Sequence, residues 1–269
     1  MLYETINIEV NQCVGTLTTY ILDNSVEIDQ DRTRPLVIVC PGGGYRFVSD
    51  REAEPIAVQL NAMGFHAAIL RYTVYPAMFP IAITQLAKAV ACVRENAAKW
   101  HVQSDKIIVA GFSAGGHLAA SLGTLWNEAF LEEMMQMPKE NYRPNGLILS
   151  YPVITSGEFA HRDSFVALLQ ERYDELIHSM SLENLVTENT PPAFLWHTFE
   201  DGLVPVENSL FFAKSLNAKK IPFELHVYPK GGHGLSLATE ETRSMYDKGP
   251  LQSECQNWIT MAGNWIRNL

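Results

Sequence analysis

A chain of 269 residues with 47% hydrophobic and 19% charged residues has a globular composition, which excludes intrinsic disorder; a domain this long buries about three quarters of its unfolded surface without a disulfide or metal. The formal charge of −10 argues against clustered Lys and Arg, so neither nucleic acid nor an anionic lipid surface is expected as a partner. No apolar run approaches the roughly 20 residues that span a bilayer, and the start, Met1 to Thr5, lacks the features of a secretory leader, so a cytoplasmic location is expected.

The first thirty residues alternate and include Val14-Gly15-Thr16, which predicts an antiparallel hairpin at a sheet edge. Leu36 to Cys40 reads as a strand that stops at Pro41-Gly42-Gly43-Gly44. Residues 52–63 read as a helix ended by Gly64, and 65–72 as the next strand. In 81–99, Ile83, Leu86, Ala87, Val90 and Val93 lie near helical spacing. Strand 106–110 follows, then a helix of small residues over 114–125. Strands are predicted at 147–153, 193–198 and 223–228, and helices at 205–218 and 250–267. This alternation predicts a mostly parallel sheet built through helical crossovers. One domain spanning 1–269 is expected. Segments 126–144 and 155–190 exceed ordinary connections and are expected to form a modest cap shaping a pocket. Cys13, Cys40, Cys92 and Cys255 show no ligand-type spacing, so no metal site is expected among them.

The sharpest motif is Gly111-Phe112-Ser113-Ala114-Gly115, a G-x-S-x-G pattern between the strand KIIVA and a helix of Ala and Gly. Five residues alone are a weak signal; the strand–helix context identifies a turn that exposes a nucleophilic hydroxyl. Such a turn strains the serine backbone, and residues two positions away must lack side chains to avoid collision. The helix N-terminus behind it favours developing negative charge. A plain serine N-cap is the alternative. Upstream, the amides of Gly43 and Gly44, with the Ala114 N–H, are expected to form an oxyanion hole. Triple glycine also occurs in phosphate loops. However, Tyr45-Arg46 stands where a Walker-type loop needs Gly-Lys-Ser/Thr, and the G-x-G-x-x-G of a dinucleotide site is missing.

A serine hydroxyl needs a base. His233, in Gly231-Gly232-His233-Gly234, follows the last predicted strand in a loop able to bring an imidazole to the sheet's carboxyl edge. A purely structural glycine-flanked turn is the alternative. His117 is expected to point along its helix and His197 to help position an acid loop; the other histidines have no supporting motif. Asp201, directly after AFLWHT, is placed to orient the base. Glu200 competes, but Asp-Gly starts a tight turn and Val204-Pro205 can open the next helix.

With these residues in place, the chain resembles the α/β-hydrolase superfamily along nearly its whole length. More narrowly, it is similar to bacterial acetylesterases of the acetyl-xylan-esterase-like and hormone-sensitive-lipase-like groups. The matching segments are PGGGY (41–45), GFSAGGHLAA (111–120), SYPV (150–153), WHTFEDGLVPVENSL (196–210) and GGHGL (231–235). The resemblance implies an α/β-hydrolase fold: a mostly parallel eight-stranded sheet with helices on both faces and a small cap. It implies acyl-ester hydrolysis by Ser113, His233 and Asp201, with acetylated sugars as a substrate class. Lipases of the hormone-sensitive type usually carry His before the triple glycine; Pro41 stands here, which weakens assignment to that branch.

Tyr45 and Tyr151 are expected to line the pocket, and the lack of a large apolar cap points to short acyl chains. No cofactor is expected, the expected partner is a small-molecule ester, and a homodimer stays open. Amide hydrolysis, as in peptidases or arylformamidases of this architecture, is the alternative enzyme reading, because the triad alone does not separate the two. A non-catalytic ligand-binding relative is a third, although such proteins normally lose a triad member.

Overall fold

A computed structural model describes residues 1–269. The chain opens with a hairpin, β1 (Thr5–Val10) and β2 (Cys13–Tyr20), turned by Asn11 and Gln12 at positive φ. Then follow β3 (Arg34–Cys40), α1 (Glu54–Ala62), β4 (His66–Arg71), α2 (Ile81–Glu95), α3 (Ala97–Trp100) and β5 (Val102–Phe112). The second half runs through α4 (Ala114–Leu125), α5 (Ala129–Met135), β6 (Gly146–Ser150), α6 (Arg162–Leu169) and α7 (Tyr173–Leu176). It ends with β7 (Ala193–Thr198), α8 (Glu207–Ala218), β8 (Phe223–Tyr228) and α9 (Trp258–Asn268).

All eight strands join one sheet in the order β1-β2-β4-β3-β5-β6-β7-β8. The six strands from β4 to β8 are mutually parallel, and the hairpin pairs antiparallel at the edge, as its alternation predicts. The inner strands are unbroken apolar runs because both faces are covered. In β3, Leu36, Ile38 and Cys40 enter a cluster of 49 buried residues, while Val37 and Val39 enter one of 25 on the opposite face. The larger cluster takes Leu86 and Val90 of α2, Leu118 and Leu122 of α4, and Phe212 of α8. The smaller takes Ile56 and Leu60 of α1 with Trp258 and Ile259 of α9. No helix is long and apolar enough to cross a membrane.

The topology places a crevice. From β3 the chain leaves through α1 to β4 on one side; from β5 it leaves through α4 to β6 on the other. The loops that end β3 and β5 therefore diverge, and in open parallel sheets ligands bind outside the carboxyl ends of strands at such a point. These two loops are PGGGY and the Ser113 turn.

The two long segments behave differently. Segment 126–144 does not serve as a cap: Leu131 and Met135 are buried in the larger cluster, Phe130 lies 5.6 Å from Phe79, and Arg94 of α2 donates to the Asn141 carbonyl at 2.7 Å. Its apolar side is used up against α2. Segment 155–190 is helical and reaches the crevice through His161 and Asp163.

Leu122 of α4 is fully buried in the larger cluster. Leu122→Ala should lower unfolding free energy by about 2–5 kcal/mol, read as a shift in urea midpoint with an unchanged slope.

Candidate active site

Ser113 sits between β5 and α4 with φ 54 and ψ −119, a strained conformation for a residue with a side chain. Three backbone bonds hold it there. Its N–H donates to the Ser150 carbonyl at 3.0 Å, and its carbonyl accepts from Val153 (3.0 Å) and His117 (3.1 Å). The neighbouring glycines are steric necessities. A Cβ on Gly111 would lie 2.1 Å from the Gly115 carbonyl oxygen, and one on Gly115 would lie 2.1 Å from that of Cys40. Gly116 packs against Pro152, where a Cβ would approach within 2.7 Å.

The loops after β7 and β8 bring two further side chains to this turn. His233 Nε2 lies 2.8 Å from Ser113 Oγ, and its Nδ1 lies 2.6 Å from Asp201 Oδ2. Residues from sequence positions 113, 201 and 233 thus form one continuous hydrogen-bonded line. Asp201 is buried, and its Oδ1 accepts the N–H groups of Leu203 (3.0 Å) and Val204 (2.9 Å), which closes the tight turn expected of Asp-Gly. Its Oδ2 also faces His197 Nε2 at 3.4 Å. Burial alone pushes this carboxyl up, but hydrogen bonds from His197, His233 and the Val204 N–H outweigh it and hold Asp201 well below the usual carboxylate range.

His197 positions the acid loop, as its place at the strand end suggests. Its Nε2 is 2.8 Å from the Val204 carbonyl and its Nδ1 2.8 Å from Ser209 Oγ. A carbonyl only accepts, so Nε2 carries the proton and Nδ1 accepts from the serine hydroxyl. Glu200, the competing acid, is instead an exposed loop charge, 2.5 Å from Lys230 Nζ. His117 points away from the hydroxyl into the core, where burial pushes it down to about 4.

Opposite His233 runs the glycine loop. Gly43 (φ 132) and Gly44 (φ 63) hold positive-φ conformations, and a Cβ on Gly43 would lie 2.1 Å from the Phe47 carbonyl oxygen. The N–H groups of Gly43, Gly44 and Ala114 donate to no protein acceptor, whereas that of Gly42 donates to Glu52 Oε2 at 2.8 Å. Gly43, Gly44, Ser113 and His233 all line one cleft of about 320 Å³. Most of its lining residues are glycine, polar or charged, Arg46, Arg51, His161 and Asp163 among them, with Phe47 and Leu203 as the apolar side chains.

Tyr45 and Tyr151 do not line this cleft. Tyr45 is 3% exposed, with its hydroxyl 2.9 Å from His117 Nδ1. Tyr151 is 1% exposed; its hydroxyl donates to Glu52 Oε1 at 2.7 Å and its ring packs edge-on behind His233. A buried aromatic gains most when its hydroxyl finds an internal partner, and both tyrosines do. Among the residues that face the cleft and carried no motif are Arg46, Phe47, Arg51, Glu52, His161 and Asp163. Most come from turns without periodicity and Asp163 from the first turn of the short helix α6, and their placement depends on long-range packing.

Comparison with known proteins places this geometry in context. The BD-FAE family model matches residues 22–216. The chain is 39% identical over 231 residues to an endo-1,4-beta-xylanase B of Butyrivibrio fibrisolvens, covering 84% of this chain and 36% of that protein. It is 30% identical over 210 residues to an acetylxylan esterase of Xylanibacter ruminicola, covering 76% and 41%. The chain therefore spans well under half the length of these curated relatives. Among solved structures, an acetyl ester-xyloside bifunctional hydrolase from Caldicellulosiruptor lactoaceticus superposes with a TM-score of 0.82 at 37% identity, over 98% of this chain and 96% of that one. A carboxylesterase from Lactobacillus plantarum superposes with a TM-score of 0.88 at 28% identity, over 100% and 98%.

The depressed pKa of Asp201 has a consequence for stability. Because its folded-state value lies below the unfolded one, its contribution is fully present above about pH 4 and is lost as pH falls further. Asp201→Asn should therefore flatten the acid side of the stability profile. Urea midpoints measured from neutral pH down into this range should fall less steeply in the variant than in the parent.

Proposed function

This chain belongs to the BD-FAE family and has the α/β-hydrolase fold, and from that premise we propose that it is a serine carboxylic-ester hydrolase acting on short acyl, chiefly acetyl, esters of sugars or oligosaccharides. The observation that carries the reading is the line Ser113–His233–Asp201, at 2.8 and 2.6 Å, ending beside unpaired backbone amides.

In this mechanism His233 Nε2 takes the hydroxyl proton as Ser113 Oγ attacks the ester carbonyl carbon. Asp201, ionised, keeps the proton on Nδ1 and stabilises the imidazolium that forms. The carbonyl oxygen becomes an oxyanion that accepts from the amides of Gly43, Gly44 and Ala114; each such donor is worth about 2.7–4 kcal/mol of barrier. The imidazolium then gives its proton to the leaving alcohol oxygen, and the C–O bond breaks to leave an acyl-serine. Water enters, His233 deprotonates it, and the same steps in reverse release the acid and restore Ser113.

Substrate size and polarity follow from the cleft. Its walls hold two apolar side chains, Phe47 and Leu203, too few to cover a long acyl chain, while Arg46, His161 and Asp163 can hydrogen-bond hydroxyls. The names of an acetylxylan esterase and an acetyl ester-xyloside hydrolase among its relatives support the same substrate class.

A fluorophosphonate should add covalently to Ser113, seen by intact mass, and Ser113→Ala should abolish both labelling and at least ~10³-fold of kcat. Well-folded protein that takes no label would overturn the proposal. With p-nitrophenyl esters, kcat/KM should fall from acetyl to octanoyl; a rise with chain length would count against the short-acyl assignment. Release of acetate from acetylated xylo-oligosaccharides tests the sugar component directly.

A further inference from the structure

One buried carboxylate takes no part in the mechanism above. Glu52, 4% exposed, lies in a short turn just after the glycine loop. Its two oxygens are committed to different loops: Oε2 accepts from the Gly42 N–H at 2.8 Å and Oε1 from the Tyr151 hydroxyl at 2.7 Å. The Tyr151 oxygen in turn accepts the Ser236 N–H at 2.9 Å, three residues past His233. The donor directions are forced at both ends, because two backbone N–H groups can only donate. Burial and the neighbouring carboxylate hold the Tyr151 hydroxyl well above its ordinary range, so it stays protonated and donates to Glu52. The same phenol ring stands edge-on to the His233 imidazole, with centroids 5.0 Å apart. Beside this line, the Ser236 hydroxyl donates to the Arg51 carbonyl at 2.6 Å, and the Arg51 guanidinium donates to the carbonyls of Gly234 (2.7 Å) and Thr242 (2.6 Å).

We infer that Glu52 and Tyr151 are positioning residues that lock the oxyanion loop and the histidine loop into one unit, so that the anion-stabilising amides and the base keep a common geometry around Ser113. Glu52 fixes the Gly42 peptide and hence the direction of the next two amides. Tyr151 fixes Ser236 and backs the imidazole. Tyr151 does not line the cleft, and Glu52, at its edge, has both carboxylate oxygens committed to protein donors. The inference rests on the esterase reading only for its kinetic consequence; the mechanical link is independent of it.

The test uses Tyr151→Phe and Glu52→Gln, singly and together. Phe keeps the ring and removes the hydroxyl; Gln leaves one acceptor oxygen where two are needed. For p-nitrophenyl acetate each variant should lose kcat by ~10-fold or more, with KM within about twofold of the parent. Because both cut the same link, the double variant should lose no more than the worse single one. Hydrogen exchange in Tyr151→Phe should accelerate in both 42–47 and 231–238. Parental kcat in folded variants, losses that multiply, or faster exchange in only one segment would each overturn the inference. Glu52→Asp, one methylene shorter but with both acceptors, replaces any variant that does not fold, and full activity in it overturns the inference as well. A parent protein with no ester turnover would sink the functional reading, and the exchange measurement would still decide the coupling.

Discussion

Everything at the site depends on how closely helix α4 approaches the end of the sheet. With no side chain at Gly111 or Gly115, the first turn of α4 sits against the Cys40 carbonyl at the end of β3. A β-carbon at either position would collide with backbone at 2.1 Å, so the helix could not approach this closely. That approach puts the Ser113 hydroxyl beside the loop that follows β3, and the divergence of α1 and α4 onto opposite faces opens the space between them. The strained backbone of Ser113 is tolerated because three hydrogen bonds hold it in place, two to β6 and its continuation and one from His117 in α4.

Around this contact, charge is handled by full partner sets. Asp201 and Glu52 are both nearly inaccessible, and unpaired they would be costly. Each oxygen of each carboxylate has at least one donor, most of them backbone N–H groups, tyrosine or histidine. The donors do more than offset desolvation: they fix where the carboxylates stand, and through them the Nδ1 proton of His233 and the Gly42 peptide. No lysine or arginine pairs with either carboxylate.

Much of this was legible in the chain. Strands buried on both faces must be apolar throughout, so LVIVC, KIIVA and AFLWHT stand out without any alignment, and the hairpin shows through its alternation. G-x-S-x-G and the glycine-flanked His233 are legible because backbone geometry demands glycine at fixed offsets. Glu52 was not legible. A single glutamate in one turn of 3₁₀ helix has no period, and its partner phenol is 99 positions away. Tyr151 was expected to line the pocket and fell inside the predicted strand 147–153; β6 ends at Ser150, an aromatic just past a strand end can face either way, and here the internal acceptor decides. The 126–144 segment has the length of a cap; only its packing against α2 reveals that it is spent elsewhere.

The cleft draws its groups from separate parts of the chain. Ser113, Asp201, His233 and the glycine amides come from loops after β3, β5, β7 and β8, whereas His161 and Asp163 belong to the stretch between β6 and β7. Within that stretch, segment 155–190 shares no hydrogen bond with the side chains of Ser113, Asp201 or His233, so changes confined to it can redraw what the entrance admits while that line of contacts stays in place.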